Sequence, residues 1–130
     1  MARQVKRKVR VTREGRWWVA VVEGVPGGAT ETQRLADLEG EVRDLLAGLL
    51  DEDEDSFELS WDLTAVLGDE GQAMWEAYMR EREELNARRR KFEEDRKATV
   101  RLLHQAGVSV RDSATLVDLS HQRVSQLLDA

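Results

Sequence analysis

Apolar and polar residues alternate along two short stretches near the start of the chain. Within residues 5–12, valines recur at odd positions between basic and polar side chains, which is the period of a strand with one buried face. A turn follows at 13–16, where Gly15 supplies the positive φ that hairpins need. Residues 17–22 are aromatic or β-branched apart from one alanine, which predicts a second strand covered on both faces.

A helix and a further strand are predicted from the next periodic stretches. Residues 23–32 contain several glycines and the single proline of the chain, which favour a turn and a short extended piece. Residues 57–63 alternate strictly between apolar and polar side chains, as in a strand with one apolar face. Between them, residues 35–50 carry apolar side chains at helical spacing. The pattern places on one side of this helix Leu35, Leu38, Val42, Leu45, Leu46, Leu49 and Leu50.

Residues 69–98 form a long predicted helix that is rich in arginine and glutamate. Tyr78, Leu85 and Phe92 are spaced by seven residues, which hints at a seam along one face. Only one strong apolar residue per heptad remains there, so most of this helix is interpreted as a charged connector. Its nearer half, which contains Trp75, is expected to dock on the sheet domain or on a second copy of the chain.

Three short helices are predicted at the end of the chain, at 97–106, 110–117 and 120–128. Ser109 and Ser120 stand where an N-cap is wanted, because a serine hydroxyl can accept from the free N–H groups of a first helical turn. The last two helices have a small residue at their crossing and a tight turn between them, which resembles the helix-turn-helix of bacterial DNA-binding proteins. Their apolar positions are Val110, Ala114, Val117, Leu119, Val124 and Leu127.

The outward-facing residues of the last helix form a candidate DNA-reading surface. Glutamine and arginine side chains can make bidentate hydrogen bonds with adenine and guanine edges in the major groove. Two positions depart from the usual pattern: Asp118 stands where glycine is usual, and Ser113 where an apolar residue is more frequent. A set of three helices that only packs is the alternative interpretation. The candidate DNA-binding residues are Ser120, His121, Gln122, Arg123, Ser125 and Gln126.

Composition and charge narrow the classes of function. The chain has 130 residues, no cysteine and a formal net charge of −6, which excludes disulfides and cysteine-based zinc sites and disfavours non-specific coating of nucleic acid. No apolar run is long enough to span a membrane and no signal peptide is found, so we expect a cytoplasmic protein without a membrane partner. The basic residues up to Arg16 are interpreted as the solvated face of a sheet, with phosphate contact as the alternative.

The acidic run 51–55 is the candidate metal site of this sequence. Aspartates at alternate positions loosely resemble a calcium loop, but Ser56 replaces the glycine and Asp62 replaces the bidentate glutamate of such a loop. A solvated loop that can steer a basic partner over a long range is the simpler interpretation. We therefore expect no cofactor and no metal.

Several features of the first half of the chain occur together: a hairpin at Gly15, an aromatic pair at 17–18, a glycine-rich turn at 24–32 and a helix after it. This combination, which covers residues 5–63, resembles the HicB antitoxins of HicA–HicB toxin–antitoxin pairs. The helix-turn-helix pattern at 98–128 completes the two-part plan of that family.

The resemblance implies an α+β fold. It consists of a small antiparallel-type sheet with one helix, similar to a truncated ribonuclease H, followed by a long helix and a helix-turn-helix domain. The corresponding segments are 1–66, 67–97 and 98–130. We do not expect an enzyme, because the first two predicted strands lack the clustered carboxylates that hold metal ions in ribonuclease H.

The resemblance also implies an antitoxin. The sheet domain would cover a HicA-like toxin, a small basic ribonuclease that cleaves messenger RNA, and the DNA-binding end would repress the shared operon by binding double-stranded DNA of its own promoter. Family members commonly dimerise, so a homo-oligomer is expected, with a dimer favoured. We assign partner contact to Trp17, Trp18 and Trp61. Two alternatives remain: a free-standing helix-turn-helix transcriptional regulator without a toxin, and an adaptor that no longer binds DNA.

Overall fold

A four-stranded sheet forms the first part of the computed structural model, which describes residues 4–129. Its strands are β1 (Val5–Glu14), β2 (Trp17–Val22), β3 (Ala29–Thr32) and β4 (Phe57–Asp62), in the spatial order β3-β2-β1-β4. β2 pairs antiparallel with both β1 and β3, whereas β4 pairs parallel with β1. The predicted α+β class is confirmed, but the antiparallel-type sheet is wrong because the observed sheet is mixed.

The helix after the sheet's first three strands explains the mixed topology. β3 and β4 point the same way at opposite edges of the sheet, so the chain must cross the sheet between them. A short 3₁₀ turn (Leu35–Asp37) and helix α1 (Leu38–Leu50) make this crossing, since strands that share a direction need a long connection. The order of elements was predicted correctly, but the direction of the last strand was not.

One face of the sheet carries the core of this part of the chain. Val9 and Val11 lie opposite Val22 and Ala20 in the register of β1 and β2, and all four side chains are buried. The helix contributes side chains one turn apart, as expected for an amphipathic helix. Leu35 and Leu49, which were expected on the same side, are 47% exposed. The other buried core residues are Val25, Leu38, Val42, Leu46 and Phe57.

The opposite face of the sheet is open. Trp17 is 39% and Val21 is 36% exposed, whereas Ala20 and Val22 on the same strand are buried. Side chains alternate between the two faces of a strand, and α1 packs on one face only. The expectation that the second strand is covered on both faces is therefore wrong.

Helix α2 (Thr64–Gln105) is the longest element of the structure. Gly68 interrupts it with a φ of 78° and a ψ of 171°, so one short turn precedes a long regular helix. The separate helix predicted at 97–106 is the last part of α2. No glycine or proline occurs in 72–105, and without such a residue nothing in the local sequence ends a helix of good helix formers.

The last two helices, α3 (Val110–Val117) and α4 (His121–Asp129), agree closely with the prediction. The hydroxyl oxygen of Ser109 accepts a hydrogen bond from the backbone N–H of Asp112 at 3.1 Å. That of Ser120 accepts one from the N–H of Arg123, also at 3.1 Å. Both predicted N-caps are confirmed. Each cap is a hydrogen bond between residues three positions apart, so it can be predicted from the local sequence.

The chain divides into two compact units, the first ending at Ala77 and the second beginning at Tyr78. Both boundaries lie inside α2. The proposed segments 1–66, 67–97 and 98–130 stay a prediction. Within the described residues, no helix has the length and apolar character needed to cross a membrane.

Candidate nucleic-acid interface

A small second core holds the three helices of the C-terminal unit together. Val100 of α2, Ala114 of α3 and Val124 and Leu127 of α4 are buried in it. All apolar positions that the sequence pattern assigned to the last two helices belong to this cluster. The side chains that pack around its buried centre are Val110, Val117, Leu119 and Leu128.

The turn between α3 and α4 is built around Asp118. This residue adopts the left-handed conformation, with φ 55° and ψ 52°, at the position where a glycine is usual. Its backbone N–H and that of Leu119 both donate to the carbonyl oxygen of Ala114, the second at 3.0 Å. Aspartate is one of the few residue types other than glycine that visit this region, so the turn closes in spite of the departure from the usual pattern.

Ser113 is the second position that departs from the usual pattern. It is 2% exposed and lies beside the buried Ala114 on α3. The position is therefore a packing position in this protein, filled by a small side chain. Its neighbours in α3 do not lose their helical conformation.

The exposed side of α4 carries the residues that were predicted to bind DNA. Val124 and Leu127 face the core, and the remaining arc of the helix faces outward. Gln122 and Gln126 lie one turn apart near the middle of that arc. Arg123 lies at its flank, where its Nη1 donates to Oε1 of Gln126 at 3.5 Å. All six candidate residues are exposed, on α4 or at the cap position before it: Ser120, His121, Gln122, Arg123, Ser125 and Gln126.

The local charge near α4 differs from that of the whole chain. Residues 97–129 contain four Lys or Arg side chains and three carboxylates, so this end is close to neutral, while the full chain carries −6. Binding of phosphates depends on local positive charge, so the acidic balance of the rest of the chain does not extend to this surface. A further basic cluster lies in α2 at 88–91 and is exposed.

The three tryptophans predicted to contact a partner do not form one surface. Trp18 and Trp61 pack against the core on the α1 side of the sheet, whereas Trp17 lies on the open face. Adjacent residues of a strand must point to opposite faces, so Trp17 and Trp18 cannot share one. The guanidinium carbon of Arg13 lies 4.3 Å from the centre of the Trp18 ring, a cation–π contact that covers it.

Trp61 lines an apolar cleft that the sequence pattern did not reveal. The cleft has a volume of about 290 Å³ and includes Trp75, from the first turns of α2. Gln72 fixes these turns to the end of β4, since its Oε1 accepts from the N–H of Leu63 at 2.7 Å and its Nε2 donates to the carbonyl of Trp61 at 3.0 Å. The remaining lining residues are Leu35, Ala36, Leu38, Glu39 and Leu63.

The acidic loop after α1 is positioned by one arginine. Nη1 of Arg43 donates to the carbonyl oxygens of Glu54 and Phe57, each at 2.9 Å, and its Nη2 bridges to Glu39 at 3.2 Å. Asp51 adopts a left-handed conformation at the start of this loop. Across residues 4–129, no group of three or more His, Cys, Asp or Glu side chains is arranged to hold a metal ion.

Asp62, at the end of β4, has the clearest electrostatic shift in the sheet unit. A hydrogen bond from Thr64 lowers the pKa of its carboxyl group, with further help from the nearby cations Lys8 and Arg10. The N–H of Thr64 donates to its Oδ1 at 3.0 Å, and Nζ of Lys8 lies 3.8 Å from its Oδ2. The group stays ionised and caps the start of α2.

Comparisons with known proteins return nothing. No family model matches the chain, and no match is found among the curated proteins or among the solved structures.

Proposed function

We propose that this protein is the antitoxin of a HicA–HicB type toxin–antitoxin pair, which binds DNA through a helix-turn-helix made of α3 and α4. The observation that carries the DNA-binding half is α4 itself. It follows a tight turn, and its side chains Val124 and Leu127 are buried. Its side chains Gln122, Arg123 and Gln126 are exposed to solvent. This combination of a pinned helix and an outward row of amide and guanidinium groups suits the major groove.

The roles of the exposed side chains follow from their chemistry. Gln122 and Gln126 can each present a donor and an acceptor to an adenine edge, and Arg123 can present two donors to a guanine edge. Ser120 keeps a hydroxyl proton free for a phosphate oxygen after its oxygen has capped the helix. His121 and Ser125 lie on the same exposed arc and complete the contact surface. The target is double-stranded DNA of the protein's own promoter.

The toxin-binding half rests on the resemblance of residues 5–63 to the HicB antitoxins. In this proposal, the sheet unit covers a small basic ribonuclease and blocks its access to RNA. The apolar cleft at Trp61 and Trp75 offers an anchor point for a partner side chain, since interface anchors are usually large apolar groups in pockets. The acidic loop 51–55 would attract a basic partner before contact.

Promoter binding tests the DNA-binding half. The affinity of the full chain for its own promoter is measured by fluorescence anisotropy for wild type and for Arg123→Ala and Gln126→Ala. Each variant should bind at least about tenfold more weakly, because a good bidentate contact contributes about 1–3 kcal/mol. Arg34→Ala and Gln33→Ala, exposed residues of the same types in the sheet unit, are the matched controls. Unchanged affinity in both α4 variants would contradict the assignment.

A free-standing transcriptional regulator is the alternative, and one observation favours it. The proposal of DNA binding is supported by the geometry of α4, whereas the proposal of a toxin partner is supported only by the resemblance of residues 5–63 to the HicB antitoxins. Co-expression of the tagged chain with its neighbouring genes, followed by the mass of the purified complex, separates the two proposals. A stoichiometric small basic protein supports the antitoxin. A complex of this chain only supports the regulator.

A further inference from the structure

The apolar cleft at Trp61 and Trp75 contains one charged side chain. Two indole rings, from β4 and from the first turns of α2, line it together with four aliphatic side chains and Glu39 of α1. Its volume of about 290 Å³ lies just below the range of about 300–1,000 Å³ that is usual for pockets of whole small-molecule ligands. The cleft therefore suits one long side chain of a partner better than a complete ligand.

We propose that this cleft binds an arginine side chain of a protein partner. The inference deepens the toxin-binding half of the proposed function and rests on it for the kind of partner. The choice of arginine rests on the cleft itself: on the charge of the segment that builds it, on the carboxylate of Glu39 and on the two indole rings. An apolar lining alone would accept any large apolar side chain.

The segment that builds the cleft is strongly acidic. Residues 35–76 carry fourteen carboxylates and one basic side chain, that of Arg43. A surface with this charge attracts cationic groups over a long range and repels anionic ones. The charge therefore excludes an acidic partner side chain and favours arginine or lysine over an uncharged side chain.

Arg43 does not line the cleft, because its guanidinium group is engaged elsewhere. Its Nη1 donates to the carbonyl oxygens of Glu54 and Phe57, each at 2.9 Å. Its Nε and Nη2 donate to Glu39 at 3.3 Å and 3.2 Å, and both hydrogen bonds go to the same oxygen, Oε1. The side chain of Glu39 is 58% exposed, so its Oε2 can accept from a donor that enters the cleft.

The two indole rings favour arginine over lysine. A guanidinium group is planar and weakly hydrated, so it stacks on aromatic rings more readily than an ammonium group does. The sheet unit already contains such a contact, between Arg13 and Trp18. In the part of the chain that the structure describes, no cation is placed over Trp61 or Trp75. Both rings can therefore receive a guanidinium group from a partner, while its methylene carbons contact the aliphatic side chains of the cleft.

Gln72 fixes the cleft before a partner arrives. Its hydrogen bonds to the backbone of Trp61 and Leu63 hold the first turns of α2, and hence Trp75, at the end of β4. A preformed site loses less conformational freedom when it binds. Nε2 of Gln72 also donates to Oε1 of Glu76 at 2.8 Å, so a second carboxylate lies near the backbone of Trp61.

The test measures binding of single amino-acid probes to the full-length chain by NMR, with the indole N–H signals of its four tryptophans as reporters. The probes are the amides of N-acetyl-arginine, of N-acetyl-citrulline, which has nearly the same shape without the charge, and of N-acetyl-norleucine. The arginine probe should shift the signals of Trp61 and Trp75 and leave those of Trp17 and Trp18 unchanged. The citrulline probe should bind about fivefold more weakly, because it loses the ion pair and the cation–π contacts.

Two outcomes of the probe titration would overturn the proposal. One is a norleucine probe that binds as tightly as the arginine probe, since the cleft would then be a site for an apolar side chain. The other is an arginine probe that leaves the signals of both Trp61 and Trp75 unchanged at millimolar concentrations.

Variants assign the contacts within the cleft. Glu39→Gln should weaken binding of the arginine probe about threefold and leave that of the norleucine probe unchanged. Trp75→Leu keeps an apolar side chain but removes the ring, so it should also weaken the arginine probe about threefold. Glu41→Gln and Trp17→Leu, the same changes at exposed residues outside the cleft, are the matched controls. Unchanged affinity for the arginine probe in both cleft variants would also overturn the proposal.

These measurements involve neither a toxin nor DNA, so their failure is distinct from failure of the proposed function. If co-expression yields a stoichiometric basic partner while the arginine probe does not bind, the assignment of arginine to the cleft is wrong and the antitoxin proposal stands.

Discussion

The two units of this protein reach a buried core in opposite ways. In the sheet unit, Val9 and Phe57 belong to one cluster although 48 residues of chain separate them. In the C-terminal unit, the whole buried cluster lies between Val100 and Leu127. The first core depends on pairing of distant strands, the second on capped helices joined by a tight turn. Local contacts are specified by neighbouring residues, whereas distant ones are specified only by the fold as a whole.

The two cores also differ in size. The sheet unit buries nine apolar residues, and the C-terminal unit buries four. Each buried side chain supplies a larger fraction of the contacts in a small core. Truncating one side chain should therefore remove a larger fraction of the stability of the C-terminal unit than of the sheet unit. All four tryptophans lie in the sheet unit, so tryptophan fluorescence reports on that unit, while circular dichroism is dominated by the helices.

The largest expected effect is that of truncation in the sheet core. Leu46→Ala should lower the free energy of unfolding of the sheet unit by about 3 kcal/mol, because it removes a fully buried side chain and leaves a cavity. Urea titration followed by tryptophan fluorescence measures this change.

Val124→Ala is the counterpart in the C-terminal unit and should cost about 2 kcal/mol there. Circular dichroism should show earlier loss of helix, with the fluorescence transition unchanged. If both variants shift both transitions equally, the units unfold together and the contrast between them is wrong.

An intermediate effect is expected at the two aspartates with positive φ. Asp51 ends α1 and Asp118 ends α3, with φ of 51° and 55°. Replacing either by glycine should stabilise its own unit by up to about 1 kcal/mol, because glycine adopts this conformation without strain. The same pair of optical measurements assigns each gain to a unit. Asp112→Gly, in the first turn of α3, should instead destabilise, since glycine is a poor helix former.

The smallest expected effect is the pH dependence contributed by Asp62. The folded protein lowers the pKa of this carboxyl group below its usual value near 3.8, mainly through the hydrogen bond from Thr64. A lowered pKa means that the stabilisation is present above the pKa of the unfolded chain and is lost as pH falls through the folded pKa. The sheet unit of wild type should therefore lose stability below about pH 4 more steeply than Asp62→Asn does. Urea midpoints at a series of pH values measure the difference, and identical slopes would contradict it.

Most of the predicted elements are present, and the errors share one cause. The strands, α1, α3 and α4 follow from periodicity, and the caps at Ser109 and Ser120 follow from residue type. The direction of β4, the open face at Trp17 and the exposure of Leu35 depend on what packs against them. Periodicity shows which residues share a face, but not whether another element covers that face.

The candidate site follows the same rule. The exposed arc of α4 was predicted because it is a property of one helix. The cleft between Trp61 and Trp75 was not predicted, because it depends on the hydrogen bond that Nε2 of Gln72 donates to the carbonyl oxygen of Trp61. Trp17 lies on the opposite face of the sheet from Trp18 and Trp61, because neighbours in a strand face opposite ways, and the assignment of all three to partner contact stays a prediction.

The sequence by itself therefore determined the presence of the strands and of α1, α3 and α4, the caps of the last two helices and the residues that α4 presents outward. Those properties depend on residues within about one or two turns of each other. Only the tertiary structure decided that β4 runs parallel to β1, that one face of the sheet stays open and that the part of α2 after Gly68 is one helix up to Gln105. These features depend on contacts between residues far apart in the chain, and local preferences do not encode them.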